Sequence, residues 1–125
     1  MDFKSHLIAE FTRVANSEIA EGQKAYMKHK FEFFGIQAPK RREIQRPFLR
    51  KEYLPDKADA LLLIRQLWNE PQRELQYFGM DMIFKYQREL EKEDIEFLEF
   101  LITHKSWWDT VDFLAAHPVG AYLKK

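Results

Sequence analysis

The sequence contains no cysteine among its 125 residues and carries no formal net charge, with 20 basic residues against 20 acidic ones. The lack of cysteine excludes disulfides, thiolate zinc sites and cysteine nucleophiles. No apolar run approaches the roughly 18 residues that a membrane-spanning helix needs. Residues 1–10 also lack the charged-then-apolar pattern of a secretory signal peptide. We therefore expect a cytoplasmic protein that does not associate with a membrane.

Metal and cofactor motifs are also missing. The four histidines, His6, His29, His104 and His117, are scattered without the paired spacing of a metal site. Glycine-rich phosphate loops and Ser-His-Asp arrangements are absent. We expect no metal and no cofactor, so any chemistry must come from carboxylates, hydroxyls or aromatic rings.

Apolar residues recur with helical spacing along nearly the whole chain, and no segment alternates as a strand does. The length predicts one domain over residues 1–125, with an all-α fold of antiparallel helix pairs. Such pairs form a bundle or an α-solenoid, and a weak echo between residues 61–68 and 96–103 favours the solenoid. The predicted helices begin near Phe3, Ser17, Pro39, Pro55, Pro71, Asp94 and Ser106. The predicted inward residues include Leu62, Leu63, Leu67, Trp68, Leu75, Phe78, Met82 and Tyr86.

The charge is distributed unevenly. From Lys24 to Lys51 there are nine Lys or Arg and two Glu, an excess of seven positive charges. A helix from Pro39 to about Arg50 would hold Lys40, Arg41 and Arg42 in its first turn, where the helix dipole disfavours cations. Phosphate, above all that of nucleic acid, would offset them. A solvated basic face over a phenylalanine core is an equal alternative for the arginines.

Residues 105–117, KSWWDTVDFLAAH, place two tryptophans beside two aspartates. If Ser106 caps this helix, Asp109 reaches back to its amide in a capping box and is structural. At about 100° per residue, Trp108 and Asp112 then share a face next to the core face, with small Ala115 beside them. An aromatic face and a carboxylate together attract a cation. On spacing alone, a rim tryptophan beside a solvated or lysine-paired aspartate is the favoured alternative.

Three ordered stretches, YMKHKFEFFGIQAPKRR, LWNEPQRELQYFGMDMIFKY and LITHKSWWDTVD, resemble the DNA alkylation repair family of AlkD-like DNA glycosylases. The resemblance runs from about Tyr26 to Asp112. It implies HEAT-like helical repeats stacked as an α-solenoid superhelix, with a concave cationic surface that holds duplex DNA. It also implies excision of cationic N3- or N7-alkylated purines by hydrolysis of the N-glycosyl bond, as in 3-methyladenine and 7-methylguanine glycosylases. Alkylated duplex DNA is then the expected partner.

The same resemblance assigns roles to residues. Trp108 and Asp112 match the family's active-site tryptophan and aspartate, which raises the cation-site hypothesis above its alternative. Asp112 would stabilise developing positive charge on the sugar or position water. The residues implied to hold the DNA backbone are Tyr26, Lys28, Gln37, Lys40, Arg41 and Arg42. We expect Lys40, Arg41 and Arg42 to lie on the same concave side as Trp108.

Two departures from the family pattern matter. A further active-site arginine and a second tryptophan belong to C-terminal repeats, so the resemblance implies an N-terminal half, truncated relative to the family. The usual Thr-Pro-Glu start of the basic helix is Ala38-Pro39-Lys40 here, which removes a cap hydroxyl and an acid. Three functions remain open: an alkylpurine glycosylase or its fragment, a non-catalytic binder of DNA structure, and a protein-binding α-solenoid scaffold. The sequence indicates no oligomeric state.

Overall fold

The computed structural model describes residues 2–120, and this part of the chain is helical, with seven α-helices and no strand. The helices are α1 (Phe3–Arg13), α2 (Ser17–Tyr26), α3 (Ala38–Gln45), α4 (Lys57–Trp68), α5 (Arg73–Tyr86), α6 (Ile95–Thr103) and α7 (Trp108–Leu114). Three 3-10 segments cover Arg46–Leu49, Gln87–Glu89 and Lys92–Asp94, and a π-helical turn covers Ala115–Val119. Among residues 2–120, no helix has the length and apolar character needed to cross a membrane.

The chain forms two compact units. Unit 1 consists of Met1–Leu54 with Glu70–Leu75, and unit 2 of Pro55–Asn69 with Gln76–Lys125. In unit 1, α1 packs against α3; in unit 2, α6 packs against both α4 and α7. Helices packed in pairs are the element of a helical solenoid-like repeat fold, so the predicted all-α fold class is confirmed.

Side-chain caps define where the first helices begin. Asp2 accepts a hydrogen bond from the amide of Ser5 at 2.7 Å, and this bond lowers the pKa of the Asp2 carboxyl. Asp56 caps α4 in the same way. The cap of α2 is Asn16, one residue before the predicted helix start at Ser17, and its side chain accepts a hydrogen bond from the third amide of the helix at 3.0 Å. Each cap satisfies an amide that has no partner inside the helix.

The core of unit 2 contains most of the residues predicted to point inward. Trp68 is fully buried, and Gly79 lies so close to its indole that a Cβ there would be 3.3 Å from the ring. Leu62 is an exception, since it is 57 % exposed. It lies about 200° around α4 from buried Ala60, on the opposite side of the helix. The residues of the prediction that are buried are Leu63, Leu67, Trp68, Leu75, Phe78, Met82 and Tyr86.

The basic helix is shorter than predicted. It ends at Gln45, and a 3-10 turn continues to Leu49. Pro47 is the cause, because it has no amide to donate and its ring clashes with the carbonyl four residues earlier in an α-helix.

A buried carboxylate holds the connection between α2 and α3. Glu74, in the first turn of α5, is 1 % exposed. Its Oε1 accepts a hydrogen bond from the amide of Phe34 at 2.9 Å. Its Oε2 accepts from Gly35 at 3.0 Å and from Ile36 at 3.2 Å. One side chain thus satisfies three consecutive loop amides, each of which would cost about 1–3 kcal/mol if buried without a partner.

The backbone of this loop has little freedom. Gly35 has a φ of 92°, and a Cβ at this position would lie 1.9 Å from the carbonyl oxygen of Asn16. The amide of Asn16 donates to the carbonyl of Phe34 at 3.0 Å, and the Gln23 amide group donates to the carbonyl of Ile36 at 3.0 Å. Only glycine fits this conformation and this close approach.

Arg73, next to Glu74, attaches the start of the same loop. Its amide donates to the carbonyl of Glu32 at 2.8 Å, and its guanidinium lies 3.8 Å from the centre of the Phe31 ring. Arg73 is fully buried, so this cation–π contact is shielded from water and stronger than one on the surface.

Replacing Glu74 by Gln should destabilise unit 1. The substitution keeps the size of the side chain but replaces one acceptor oxygen by an NH2 group that faces amide donors. We expect a loss of about 3 kcal/mol in the free energy of unfolding, measured by urea denaturation. Glu43→Gln is the matched control, since it removes an exposed carboxylate 3.9 Å from Lys40 and should cost less than about 0.5 kcal/mol. Equal losses in the two variants would contradict the role of the three amide bonds.

Candidate functional site

The first candidate surface lies where the Glu74-held loop enters α3, within unit 1. Gln37 is the N-cap residue, with φ −71° and ψ 153°, and its side chain makes no capping hydrogen bond. The first turn of α3 contains no acidic residue. The positive end of this helix therefore has neither a side-chain acceptor nor an acid to balance it, which suits an incoming anion.

The three cations of the predicted basic run differ in exposure. Lys40 and Arg42 are exposed. Lys40 has only a long 3.9 Å contact with the Glu43 carboxylate. Arg41 departs from the expectation of a surface contact, because it is 7 % exposed and donates to Gln45 Oε1 at 2.8 Å. Its position on α3 turns it inward, so Lys40 and Arg42 are the side chains available to a phosphate.

The other predicted backbone contacts of unit 1 lie at the end of α2. Tyr26, its last residue, is 74 % exposed. Lys28 follows with a φ of 56°, a left-handed conformation that is uncommon outside glycine, and it is exposed. Lys24 is different, because its hydrogen bond to Glu21, 3.2 Å away, raises its pKa, and Glu32 lies 3.5 Å away. The charge of Lys24 is thus compensated locally, and that of Lys28 is more available.

The second candidate surface is on α7, in unit 2. The turn before this helix is fixed at both ends: the Trp68 indole donates to the carbonyl of His104 at 2.7 Å, and the Ser106 hydroxyl donates to the carbonyl of Ile102. Lys105 has a φ of 57°. Trp107 is the N-cap in extended conformation, and it makes no side-chain capping bond. Ser106, predicted as the cap, instead bonds back to α6.

The rotation of α7 about its axis determines which side chains reach solvent. Thr110 and Leu114 are fully buried. At about 100° per residue, the direction opposite to these two residues is that of Asp112. Trp108 lies about 40° to one side of it and Asp109 about 60° to the other. Trp108 is 55 % exposed, and Asp112 and Ala115 are exposed, so the predicted shared face of these three residues points to solvent.

The side chains of Trp108 and Asp112 are both available to a ligand. Within residues 2–120, the Asp112 carboxylate makes no hydrogen bond or ion pair, and the Trp108 ring contacts no other ring or cation. An unpaired carboxylate beside an exposed indole, on an ordered helix, can receive a cation without first breaking an internal contact.

Asp109 is structural, as expected, but not through a capping box. Its Oδ2 accepts a hydrogen bond from the Tyr77 hydroxyl at 2.6 Å. Tyr77 lies on α5, and both side chains are half-buried. Sequence analysis had paired Asp109 with Ser106 because capping boxes are local, whereas a partner 32 residues away leaves no signal in spacing. Tyr77 and Glu74 support these surfaces, and neither role was predicted from the sequence.

Comparisons with known proteins agree with the resemblance inferred from the three sequence motifs. The family model described as DNA alkylation repair enzyme matches residues 7–125. A solved structure, a predicted DNA alkylation repair enzyme from Enterococcus faecalis, is similar with a TM-score of 0.78 and 29 % sequence identity over 88 % of this chain. The match covers 51 % of the Enterococcus faecalis chain, so this chain spans about half of that protein's length. No curated protein matches.

The family match extends over both units, from α1 to beyond α7. It includes the loop held by Glu74, the basic turn of α3 and the Trp108–Asp112 pair. The chain therefore belongs to the DNA alkylation repair enzyme family.

Proposed function

We propose that this chain is an alkylpurine DNA glycosylase, or the N-terminal part of one, that acts on cationic N3- or N7-alkylated purines in duplex DNA. The observation that carries the proposal is the outward, unpaired Asp112 beside exposed Trp108 on α7. Membership of a DNA alkylation repair family supports DNA as the partner.

The proposed chemistry follows from the charge of the substrate. An alkylated purine is already a cation, so it can leave as a neutral base without being protonated. As the bond from sugar to base lengthens, the sugar gains oxocarbenium character and positive charge. Asp112 stabilises this charge or positions the attacking water, and Trp108 attracts the same region through its ring face. Water supplies the hydroxyl group that replaces the base on the sugar, and the remaining proton of that water is released to solvent.

Unit 1 contributes affinity for the DNA backbone in this proposal. Lys40 meets phosphate at the start of α3, together with the first-turn amides that follow Gln37, and Arg42 meets phosphate from the last turn of the helix. Tyr26 and Lys28 extend the contact at the end of α2. Arg41 supports α3 from inside through Gln45 and contacts no phosphate. Binding of this kind is largely independent of base sequence and depends strongly on salt.

Asp112→Asn should separate catalysis from binding. The substitution keeps the shape of the side chain and removes its charge, and since Asp112 is exposed and without a described partner, stability should change by less than about 0.5 kcal/mol. We expect the single-turnover release of 7-methylguanine from methylated duplex DNA to fall on the order of 100-fold, with duplex affinity retained.

Glu99→Gln is the matched control for Asp112→Asn, because it also removes one exposed negative charge from unit 2. It should release 7-methylguanine at the wild-type rate. Wild-type release by Asp112→Asn would remove Asp112 from the catalytic role. Duplex binding without base release, both by this chain and by a longer chain that includes C-terminal repeats of the family, would instead favour the non-catalytic binder of DNA structure.

Arg42→Glu should weaken duplex binding regardless of base sequence. Losing one phosphate contact should also reduce the slope of log affinity against log salt concentration by about one. Arg13→Glu makes the same change of charge in unit 1, at the end of α1, and should leave the salt slope unchanged. Fluorescence anisotropy across a salt series measures both. The same slope change in the two variants would show a general charge effect and not a phosphate contact at Arg42.

A further inference from the structure

We propose that Tyr77 and Asp109 form a positioning pair that sets the rotation of α7 about its axis and thereby aims Asp112 and Trp108 at the substrate. The inference rests on the proposed function of the Trp108–Asp112 site. Neither residue of the pair is assigned a contact with DNA; they act through α7.

The geometry of the pair supports a role in orientation. The Tyr77 hydroxyl donates to Asp109 Oδ2 at 2.6 Å, a short distance typical of a bond to a charged acceptor. The bond joins α5 to the first turn of α7. Asp109 is the direct neighbour of Trp108 and precedes Asp112 by three residues, so a fixed Asp109 fixes the direction of both.

The Tyr77 bond acts at the first turn of α7, whereas near the other end of the helix the centre of the Phe113 ring lies 6.4 Å from that of Phe84 on α5. The helix has seven residues, and its N-cap residue makes no side-chain cap. Thr110 and Leu114 bury one side of it, and apolar burial has little directional preference. The Thr110 hydroxyl bonds to the carbonyl of Trp107 at 3.3 Å, within the same turn. The bond from Tyr77 acts on the flank of the helix, where it opposes rotation.

The cost of misplacement explains why such a pair matters. Asp112 stabilises charge only if its oxygens lie at the correct distance from the sugar, and a displacement of about 1 Å can reduce a rate by up to 100-fold. Rotating a helix by a few tens of degrees moves a side-chain end by more than this. The exposed Asp112 has no described hydrogen bond of its own to correct such an error.

Tyr77→Phe tests the proposal with a minimal change, because it removes only the hydroxyl. We expect single-turnover release of 7-methylguanine to fall about tenfold, with duplex affinity unchanged. The matched control is Tyr86→Phe, which deletes a second hydroxyl on α5, one that donates to the carbonyl of Pro55 and not to α7. It should release the base within about twofold of the wild-type rate. Equal losses in both variants would overturn the proposal, and so would wild-type release by Tyr77→Phe.

Substitutions of Asp109 distinguish the orienting hydrogen bond to Tyr77 from the negative charge of the Asp109 carboxylate. Asp109→Asn keeps an acceptor for the Tyr77 hydroxyl and should retain most of the rate, whereas Asp109→Ala should lose as much as Tyr77→Phe. The double variant, Tyr77→Phe with Asp109→Ala, should lose no more than either single change, since both remove the same bond. If Asp109→Asn falls as far as Asp109→Ala, the charge of Asp109 matters and the positioning role is wrong.

A second measurement does not depend on excision. The indole N–H resonance of Trp108 should shift or broaden in Tyr77→Phe and stay unchanged in Tyr86→Phe. If neither this chain nor a longer chain with C-terminal repeats of the family releases the base, the proposed function fails. The Trp108 spectrum still decides whether the pair orients α7. An unchanged Trp108 resonance in Tyr77→Phe would overturn the orientation itself.

Discussion

The three hydrogen bonds of the Glu74 carboxylate are the interaction on which unit 1 depends. They connect the first turn of α5 to amides 38 to 40 residues earlier in the chain, so a single buried side chain closes a long loop. A buried carboxylate without such donors would be strongly unfavourable, and buried loop amides without an acceptor would be nearly as costly. Each group therefore makes the burial of the other possible. The start of α3, with Lys40, follows directly from this loop, which places the first turn of the helix on a backbone that cannot easily move.

Each of the two candidate surfaces is supported by residues of α5. Its first residues, Arg73 and Glu74, belong to unit 1, and Tyr77 belongs to unit 2. The residues proposed to meet DNA are exposed and make few internal contacts, whereas the residues that hold them are buried or half-buried and hydrogen-bonded. This division is physically reasonable, because a side chain that must bind a ligand cannot also be satisfied by the protein, and its position must then come from its neighbours.

Much of the fold could be predicted because its signals are local. Helical periodicity predicted the inward residues of α5, and the spacing of Trp108 and Asp112 predicted their shared face. Most of the failures were cases in which a local pattern did not specify the partner. Leu62 fits an apolar stripe, yet the burial of Ala60, Leu63 and Ile64 turns it outward. Arg41 looks like its neighbours in sequence and is buried by the rotation of α3. Glu74 and Tyr77 have partners more than 30 residues away, which no spacing rule detects.

The exposure of Asp112 in the chain alone bears on how it could act. Two unit charges 4 Å apart attract by about 1 kcal/mol in water and by about 4 kcal/mol at an effective dielectric constant of 20. Asp112 therefore contributes little while it faces water, and more once a duplex covers α7 and excludes solvent. A neutral purine would still need a proton in order to leave, and an ionised carboxylate has no proton to donate. An alkylated purine needs only stabilisation of the sugar cation. In the proposed function, the Asp112 carboxylate and the Trp108 indole are thus matched to lesions that already carry positive charge, and DNA binding is the step that makes the carboxylate effective.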